Sequence, residues 1–362
     1  MITEKAPGKL YIAGEYAVVE SGTPAILVAL DQFVTCQLTS AQHQTGRIIS
    51  RQYQDIELSW RRQGDQLVVD QRDNPFSYII QAIEVTEAYA RSCGRQLKMF
   101  DLTIDSDLDS ENGRKYGLGS SAAVTVAIVK VLCRFYQLRV TNEKLFKLAA
   151  IAHFTVQKNG SLGDVAASVY GGWIAYHSFD RQWLAEQQQA VDLATLIKLP
   201  WPDLKVESLP TPKQLRLLIG WTGKPASTSL LVDKISLFKA VHQQEYRQFL
   251  ADSRKCVDQM ITGFRTNRLD LIQKQIRANR QLLVRLGQLS GVSIETPLLQ
   301  ELCAIAEKAG GAAKTSGAGG GDCGIALIDN RQDIHQLQQQ WQTAHITPLD
   351  LHVFWHQPTK ED

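Results

Sequence analysis

The sequence predicts a mixed α/β and α+β protein built as two domains. Three observations carry this. Strand-like and helix-like apolar patterns are interspersed in both halves of the chain. Each half holds one glycine-rich loop, at residues 117–123 and 314–322. Between them, residues 180–213 contain Gln187-Gln-Gln189 and prolines at 200, 202, 210 and 212, which read as a connection rather than core. The boundary is placed to give domains 1–205 and 206–362, and 362 residues suffice for two domains with a sizeable core.

The elements follow in order. The apolar Leu10–Ala13 gives an opening strand, with two more at Ala25–Leu30 and Phe33–Leu38. Ile56–Trp60 and Gln66–Asp70 alternate in polarity on either side of Gly64-Asp65, the signature of a hairpin. Asn74-Pro75 starts a helix of about 18 residues, since proline is tolerated in a first helical turn. Leu102–Ile104 is a strand leading to the first glycine loop. Helices are expected over 120–137 and 142–158, the second with Thr141 as N-cap and Glu143 at the positive end of the helix dipole. Val169–Tyr176 resumes strand character. The second half opens with a strand at Leu215–Trp221 and a loop at 222–228. Three long helical patterns lie between about 229 and 309. A strand at Cys323–Ile328, a polar helix near 332–343 and a terminal strand at Leu351–Trp355 finish the chain.

Composition narrows the function. Lys and Arg number 39 against 37 Asp and Glu, spread along the chain without a basic tail or stripe, which argues against a nucleic-acid partner. There is no polybasic amphipathic segment, and no run of about 18 apolar residues, which argues against a membrane partner. Met1–Pro7 lacks the apolar stretch of a secretory signal. The six cysteines form no Cys-x-x-Cys pair and the eight histidines no His-x-x-x-His pair, so zinc and dithiol chemistry are not indicated. His153, on an apolar helix, reads as core, and the tryptophans as packing residues. A cytoplasmic protein is expected, with a homodimer left open.

The richest segment is Lys115-Tyr-Gly-Leu-Gly-Ser-Ser-Ala-Ala-Val124. It sets glycines and serines before a helix, whose first N–H groups and dipole attract an anion. No Gly-x-x-x-x-Gly-Lys-Ser/Thr occurs, which excludes a Walker A loop. Three further clusters accompany it: Ala6–Tyr16, Asn159–Ala166 and Lys314–Asp322. In these residues and their order the chain resembles the GHMP kinases, small-molecule kinases named for galactose, homoserine, mevalonate and phosphomevalonate. That family carries Pro-Gly-Lys…Gly-Glu, Gly-Leu-Gly-Ser-Ser-Ala and Gly-Ala-Gly-Gly-Gly segments, and all three stand here, so the resemblance spans nearly the whole chain. Within the family it is most similar to the bacterial phosphomevalonate kinases, through Lys9–Tyr16, Lys115–Ser121, Gly163–Ser168 and Trp221–Thr228. Tyr16 stands where mevalonate kinases and galactokinases usually carry His, and Gly119 where diphosphomevalonate decarboxylases usually carry Ala.

The resemblance implies the two-domain GHMP fold: an N-terminal α/β nucleotide-binding domain and a C-terminal ferredoxin-like α+β domain. It implies transfer of the ATP γ-phosphoryl group, with Mg²⁺, to 5-phosphomevalonate. Gly117, Gly119, Ser120, Ser121 and Ala122 would wrap the ATP phosphates, with Ser120 the candidate Mg²⁺ ligand. For Ser121 a plain helix cap is an equal reading. Lys9 and Asp164 would lie side by side at the acceptor. Asp164 would hold Lys9, bind Mg²⁺ or accept a proton, and the sequence leaves these three open. Glu15, Tyr16 and Ser161, with Gly317, Ala318, Gly319 and Gly320 of the second loop, would face the acceptor. Lys224 is a candidate for one anionic end of the acceptor, with Ser227 and Thr228 as neutral donors. Mevalonate as acceptor, and a catalytically silent ligand sensor on the same fold, are the alternatives.

Overall fold

The computed structural model describes residues 1–51, 56–69, 76–108, 116–223 and 228–356. The chain opens with β1 (Ile2–Ala13), a 3-10 turn at Ala17–Val19, and β2 (Pro24–Ser40) antiparallel to β1. β2 is one continuous strand where two were expected. Pro7 pairs with Phe33 and Gly8 with Leu30, so Asp31 and Gln32 form a bulge that bends the ladder without ending it. Next come β3 (Thr45–Ser50), β4 (Ile56–Gln63), β5 (Gln66–Val69), α1 (Ser77–Ser92) and β6 (Phe100–Ser106). The predicted β4–β5 hairpin is present, while the expected start of α1 at Asn74-Pro75 lies outside the described residues. Then follow α2 (Ser120–Phe135), α3 (Asn142–Gln157), α4 (Gly163–Tyr170), β7 (Trp173–His177), α5 (Arg181–Ala190), α6 (Leu193–Lys198) and β8 (Lys205–Leu209). The strands form one sheet in the order β5-β4-β3-β6-β2-β7-β8, with β1 laid on β2. Among the described pairings only β3 with β6 is parallel.

The second sheet is built from β9 (Leu215–Trp221), then, beyond four helices, β10 (Ala312–Thr315), β11 (Cys323–Asp329) and finally β12 (Thr347–Leu349). The helices are α7 (Thr228–Val241), α8 (Gln243–Arg265), α9 (Leu269–Ser290) and α10 (Pro297–Lys308), with α11 (His335–Thr343) between the last two strands. The order β10-β11-β9-β12, antiparallel throughout, is the ferredoxin-like arrangement of a β-α-β-β-α-β chain. The largest hydrophobic core is continuous across the two sheets, from Ala6 on β1 to Leu327 on β11.

Four segments depart from the sequence reading. Val169 belongs to α4, and only Trp173 onward is strand; the helix is too short for its periodicity to show, and Gly171-Gly172 ends it. Residues 180–209 are not mere connection. Asp180 and Asp192 cap α5 and α6 by accepting backbone N–H bonds, Trp201 is buried, and β8 is an edge strand of the first sheet. The stretch 229–309 holds four helices instead of three, because the chain breaks at His242. The expected terminal strand at 351–355 is instead an extended segment that returns to the first sheet. Val353 bridges to Leu30, and Phe354 exchanges backbone bonds with Ala29 and Gly172. The Thr141 cap of α3 is present.

One backbone position governs how β1 delivers the residues after it. Gly14 has φ +91°, and a Cβ there would lie 2.6 Å from the Pro24 carbonyl oxygen and 2.7 Å from Ala25 Cα. Both the dihedral and the backbone contact forbid a side chain. Gly14→Ala is expected to lower the unfolding free energy by about 3 kcal/mol, combining strain and overpacking. A urea titration with an unchanged midpoint would refute this reading of the turn.

Candidate active site

Residues Lys9 and Tyr11 share one face of β1, as alternate residues of a strand must. The backbone N–H of Lys9 donates to the Leu118 carbonyl at 2.8 Å, which ties β1 to the first glycine loop. Gly119 has φ +81°, and a Cβ there would stand 2.9 Å from Lys9 Cε, so the absent side chain makes room for the lysine stem. The buried ammonium donates to the Gly117 carbonyl at 3.4 Å. α2 then starts at Ser120 with no side chain capping it. Its first turn borders the cavity through Ser120 and Ser121, which leaves helix N–H groups for an anion. Ser121 is therefore not a helix cap; its Oγ lies 3.2 Å from His153 Nε2.

The α3–α4 connection supplies the opposite wall. The Tyr11 hydroxyl and Ser161 Oγ are 2.8 Å apart, and the Tyr176 hydroxyl donates to the Ser161 carbonyl at 2.6 Å. Asp164, in the first turn of α4, accepts from the Val165 N–H at 3.0 Å. Burial, and secondarily the charge of Asp164, push the Tyr11 phenol far above its ordinary value, so it stays a neutral hydrogen-bonding group at pH 7. Lys9 and Asp164 line the same cavity and form no ion pair there, the lysine stem passing over Gly119 towards the Gly117 carbonyl.

The second domain closes the cavity through its glycine loop. Lys314 on β10 is fully buried and pairs with Glu15, and its Nζ also donates to the Thr315 carbonyl at 2.5 Å. Ser316 Oγ accepts from Tyr11 N–H at 3.0 Å and donates to the Tyr11 carbonyl at 2.8 Å. The Tyr16 hydroxyl donates to the Ala318 carbonyl at 2.5 Å. Glu15 and Tyr16 do line the cavity, but their polar atoms fasten the second loop. Gly317 and Ala318 face the cavity; Gly319 and Gly320 do not line it. A Cβ on Gly319 would meet the Ile294 carbonyl at 2.2 Å, and Gly320 N–H donates to that carbonyl at 2.8 Å.

The structure thus brings Lys9, Glu15, Tyr16, Gly117, Gly119, Ser120, Ser121, Ser161, Asp164, Gly317 and Ala318 to one cavity of ≈ 420 Å³, a size suited to a small ligand. Ala122 is buried within α2, and Lys224 and Ser227 lie outside the described residues. The cavity also takes in Tyr11, His153, Ser316 and Asp322, which the sequence reading did not select. Tyr11 was within reach of the period-two rule from Lys9; His153 was hidden by its apolar neighbours. A larger cleft of ≈ 610 Å³ between α7, α8 and the α3–α4 connection adjoins the first and shares Tyr16, Val19, Asn159, Gly160 and Val232 with it. Neither glycine loop, Lys9 nor Asp164 borders this cleft, so the chemistry is placed in the smaller cavity.

Comparison with known proteins agrees with the geometry. Residues 77–172 match the GHMP kinases N terminal domain and residues 260–346 the GHMP kinases C terminal domain. The chain is 40% identical over 361 residues to a phosphomevalonate kinase of Streptomyces sp. (strain CL190), covering 97% of this chain and 96% of that one. A crystal structure of the Lin0012 protein from Listeria innocua superposes with TM-score 0.93 at 39% identity, covering 99% of both chains. The Streptococcus pneumoniae phosphomevalonate kinase in complex with phosphomevalonate and AMPPNP does so with TM-score 0.85 at 31% identity, covering 98% of this chain and all of that one. The chain belongs to the GHMP kinase family, and it is an ATP-dependent phosphotransferase of that family.

The Glu15–Lys314 pair is fully withdrawn from water, so each ion depends on the other. Lys314→Met is expected to cost about 3–5 kcal/mol by leaving a buried carboxylate unpaired. Combining it with Glu15→Gln should recover part of that loss, as read from urea unfolding of the two single variants and the double variant. Additive losses would show that the two side chains are not coupled.

Proposed function

We propose that this protein transfers the γ-phosphoryl group of ATP to the phosphate of (R)-5-phosphomevalonate, giving 5-diphosphomevalonate and ADP in the mevalonate route to isoprenoids. The observation that carries the reading is the 40% identity with a phosphomevalonate kinase over nearly the whole length of both chains. The cavity supports it, because Lys9, the uncapped start of α2 and Asp164 converge on a space open to two anionic ligands.

In the reaction a bond forms between an acceptor phosphate oxygen and the γ-phosphorus. The bond from that phosphorus to the bridging oxygen breaks, and the electron pair leaves with ADP. A phosphate monoester has its second pKa near about 6, so at pH 7 the acceptor is already mostly the nucleophilic dianion. The barrier is then less a matter of removing a proton than of bringing two anions together, and the site must supply positive charge and alignment. Lys9 fills that need as a clamp between acceptor oxygen and γ-phosphate, and the neutral Tyr11 phenol and the helix start add donors. Asp164 orients Lys9, holds the metal or takes a residual proton.

Bound with the nucleotide, Mg²⁺ would neutralise phosphate charge. Ser120 would hold it through its hydroxyl, with phosphates and waters filling the other positions, as this ion prefers. The described residues contain no group of three or more His, Cys, Asp or Glu side chains that could hold a metal by themselves, which suits an ion carried mainly by the nucleotide. Lys224 and Ser227 are proposed for the acceptor's carboxylate end.

The reading is tested by ADP release with Mg·ATP and, in parallel, 5-phosphomevalonate, mevalonate and a panel of sugars and amino-acid alcohols. Turnover is expected with 5-phosphomevalonate alone. Turnover with mevalonate in its place would overturn the acceptor assignment and return Asp164 to the role of general base. Nucleotide binding without any turnover would favour the sensor reading. In the same assay Lys9→Ala should lower kcat by about 10²–10³-fold, the range for losing one transition-state donor. Asp164→Asn should lose less; an equal or larger loss in a folded protein would speak for a true base.

A further inference from the structure

We propose that His153 is a positioning residue: its Nε2–H donates to the Ser121 hydroxyl, so that Ser121 presents its own proton to a phosphate oxygen of the bound nucleotide. This rests on the phosphotransfer reading given above.

The argument starts from hydrogen-bond accounting. His153 is 1% exposed and packs against the Tyr78 ring at 4.9 Å between centroids. Its Nε2 lies 3.2 Å from Ser121 Oγ, and its Nδ1 is buried without a partner. A neutral imidazole carries one proton on one of these nitrogens. Placing it on Nδ1 would bury an N–H donor with nothing to accept it, a rare and costly arrangement. Placing it on Nε2 leaves only a bare lone pair in the apolar surroundings, which proteins tolerate more readily. The Nε2–H tautomer is therefore the stable one, and Ser121 is its acceptor. Burial also pushes the imidazole below its ordinary value, with the charge of Asp164 opposing, which keeps the ring neutral at pH 7.

The Ser121 proton is then the remaining question. Hydroxyls inside helices commonly donate to the carbonyl four residues back. Thr125 does so to Ser121, Thr86 to Ala82 and Thr155 to Ile151. Ser121 does not: it sits in the first turn of α2, and the carbonyl four residues back, that of Gly117, instead receives Lys9 Nζ. With its oxygen engaged by His153, the hydroxyl proton is left to point into the cavity that Ser121 lines. An anionic oxygen at the start of α2 is the partner that suits it. Ser120 and Ser121 are thus assigned different tasks, the first towards the metal and the second towards a phosphate oxygen.

The test compares His153→Leu, which removes the donor, with His153→Gln, whose side-chain amide restores one, and with Ser121→Ala. AMPPNP affinity and the separate KM values for ATP and acceptor are measured on full-length protein after thermal melts confirm folding. His153→Leu and Ser121→Ala should each weaken nucleotide binding about tenfold or more, the loss of a charge-assisted hydrogen bond. The acceptor KM should hardly change, His153→Gln should recover most of the affinity, and the double variant Ser121→Ala/His153→Leu should be no worse than either single one. Additive losses, or no rescue by glutamine, would overturn the proposal. Should His153→Leu not fold, ¹⁵N NMR of histidine-labelled wild-type protein decides independently, since a dominant Nδ1–H tautomer at position 153 refutes it. A failed acceptor assignment would leave the nucleotide and NMR results standing, so the two proposals fail separately.

Discussion

The site depends on one buried ion pair that crosses from the first domain to the second. Glu15 follows β1 and Lys314 lies on β10, and both side chains are withdrawn from solvent. Such a pair adds little net stability over a well-packed apolar contact, because desolvation offsets most of its attraction. Its value here is geometric. An ammonium in that position tolerates no slippage of β10 against the turn after β1, since any shift would strand a charge. The Ser316–Tyr11 and Tyr16–Ala318 bonds join the same two chain segments, with Tyr11 and Tyr16 on either side of Glu15 and Ser316 and Ala318 both following Lys314. Together they fix the second glycine loop to the strand that carries Lys9, so the two halves of the cavity keep one relative position without a covalent cross-link.

Continuity of the hydrophobic core makes that fixing effective. The main core runs without interruption between the sheets, through β9, β11 and the inner faces of α8 and α9. A smaller cluster joins Tyr16 and Ala17 to Ile235, Phe238, Tyr246 and Leu283 on the second domain's helices. Opening the domains would expose both, so the resting geometry of the cavity is set by packing as well as by its polar bonds. The extended segment after β12 adds a further tie by bonding across Ala29 and Gly172.

Much of this was legible in the sequence, and the parts that were not share a cause. The three motifs located both loops, and the alternation of Ile56–Val69 gave the β4–β5 hairpin, because those signals are local. Thr141 was readable as a cap for the same reason. What escaped depended on distant partners. α4 is only eight residues, mostly small, too few for a clear helical period, and its helical state is fixed by packing against β1, α2 and α3. The prolines at 200, 202, 210 and 212 suggested a linker, yet Trp201 between the first two is buried and its indole N–H donates to the Leu196 carbonyl. Glu15 and Tyr16 were located at the site, but their hold on Lys314 and Ala318 joins residues some 300 positions apart. No local pattern encodes such a partnership.

Two lysines show how environment divides labour between residues of one type. Lys314 is neutralised by a carboxylate, and its charge contributes almost nothing to the field in the cavity beyond its partner. Lys9 is nearly as buried, yet its ammonium donates to a neutral carbonyl, that of Gly117, and lies over the Tyr11 ring at 5.4 Å. A carbonyl stabilises an ammonium without cancelling its charge, so Lys9 brings a positive charge to a cavity wall that also carries Glu15, Asp164 and Asp322. An ion pair with Asp164 would engage that ammonium directly before any ligand arrived. That Lys9 bonds to a carbonyl instead of a carboxylate suits a reaction between two phosphates, in which the acceptor brings its own negative charge.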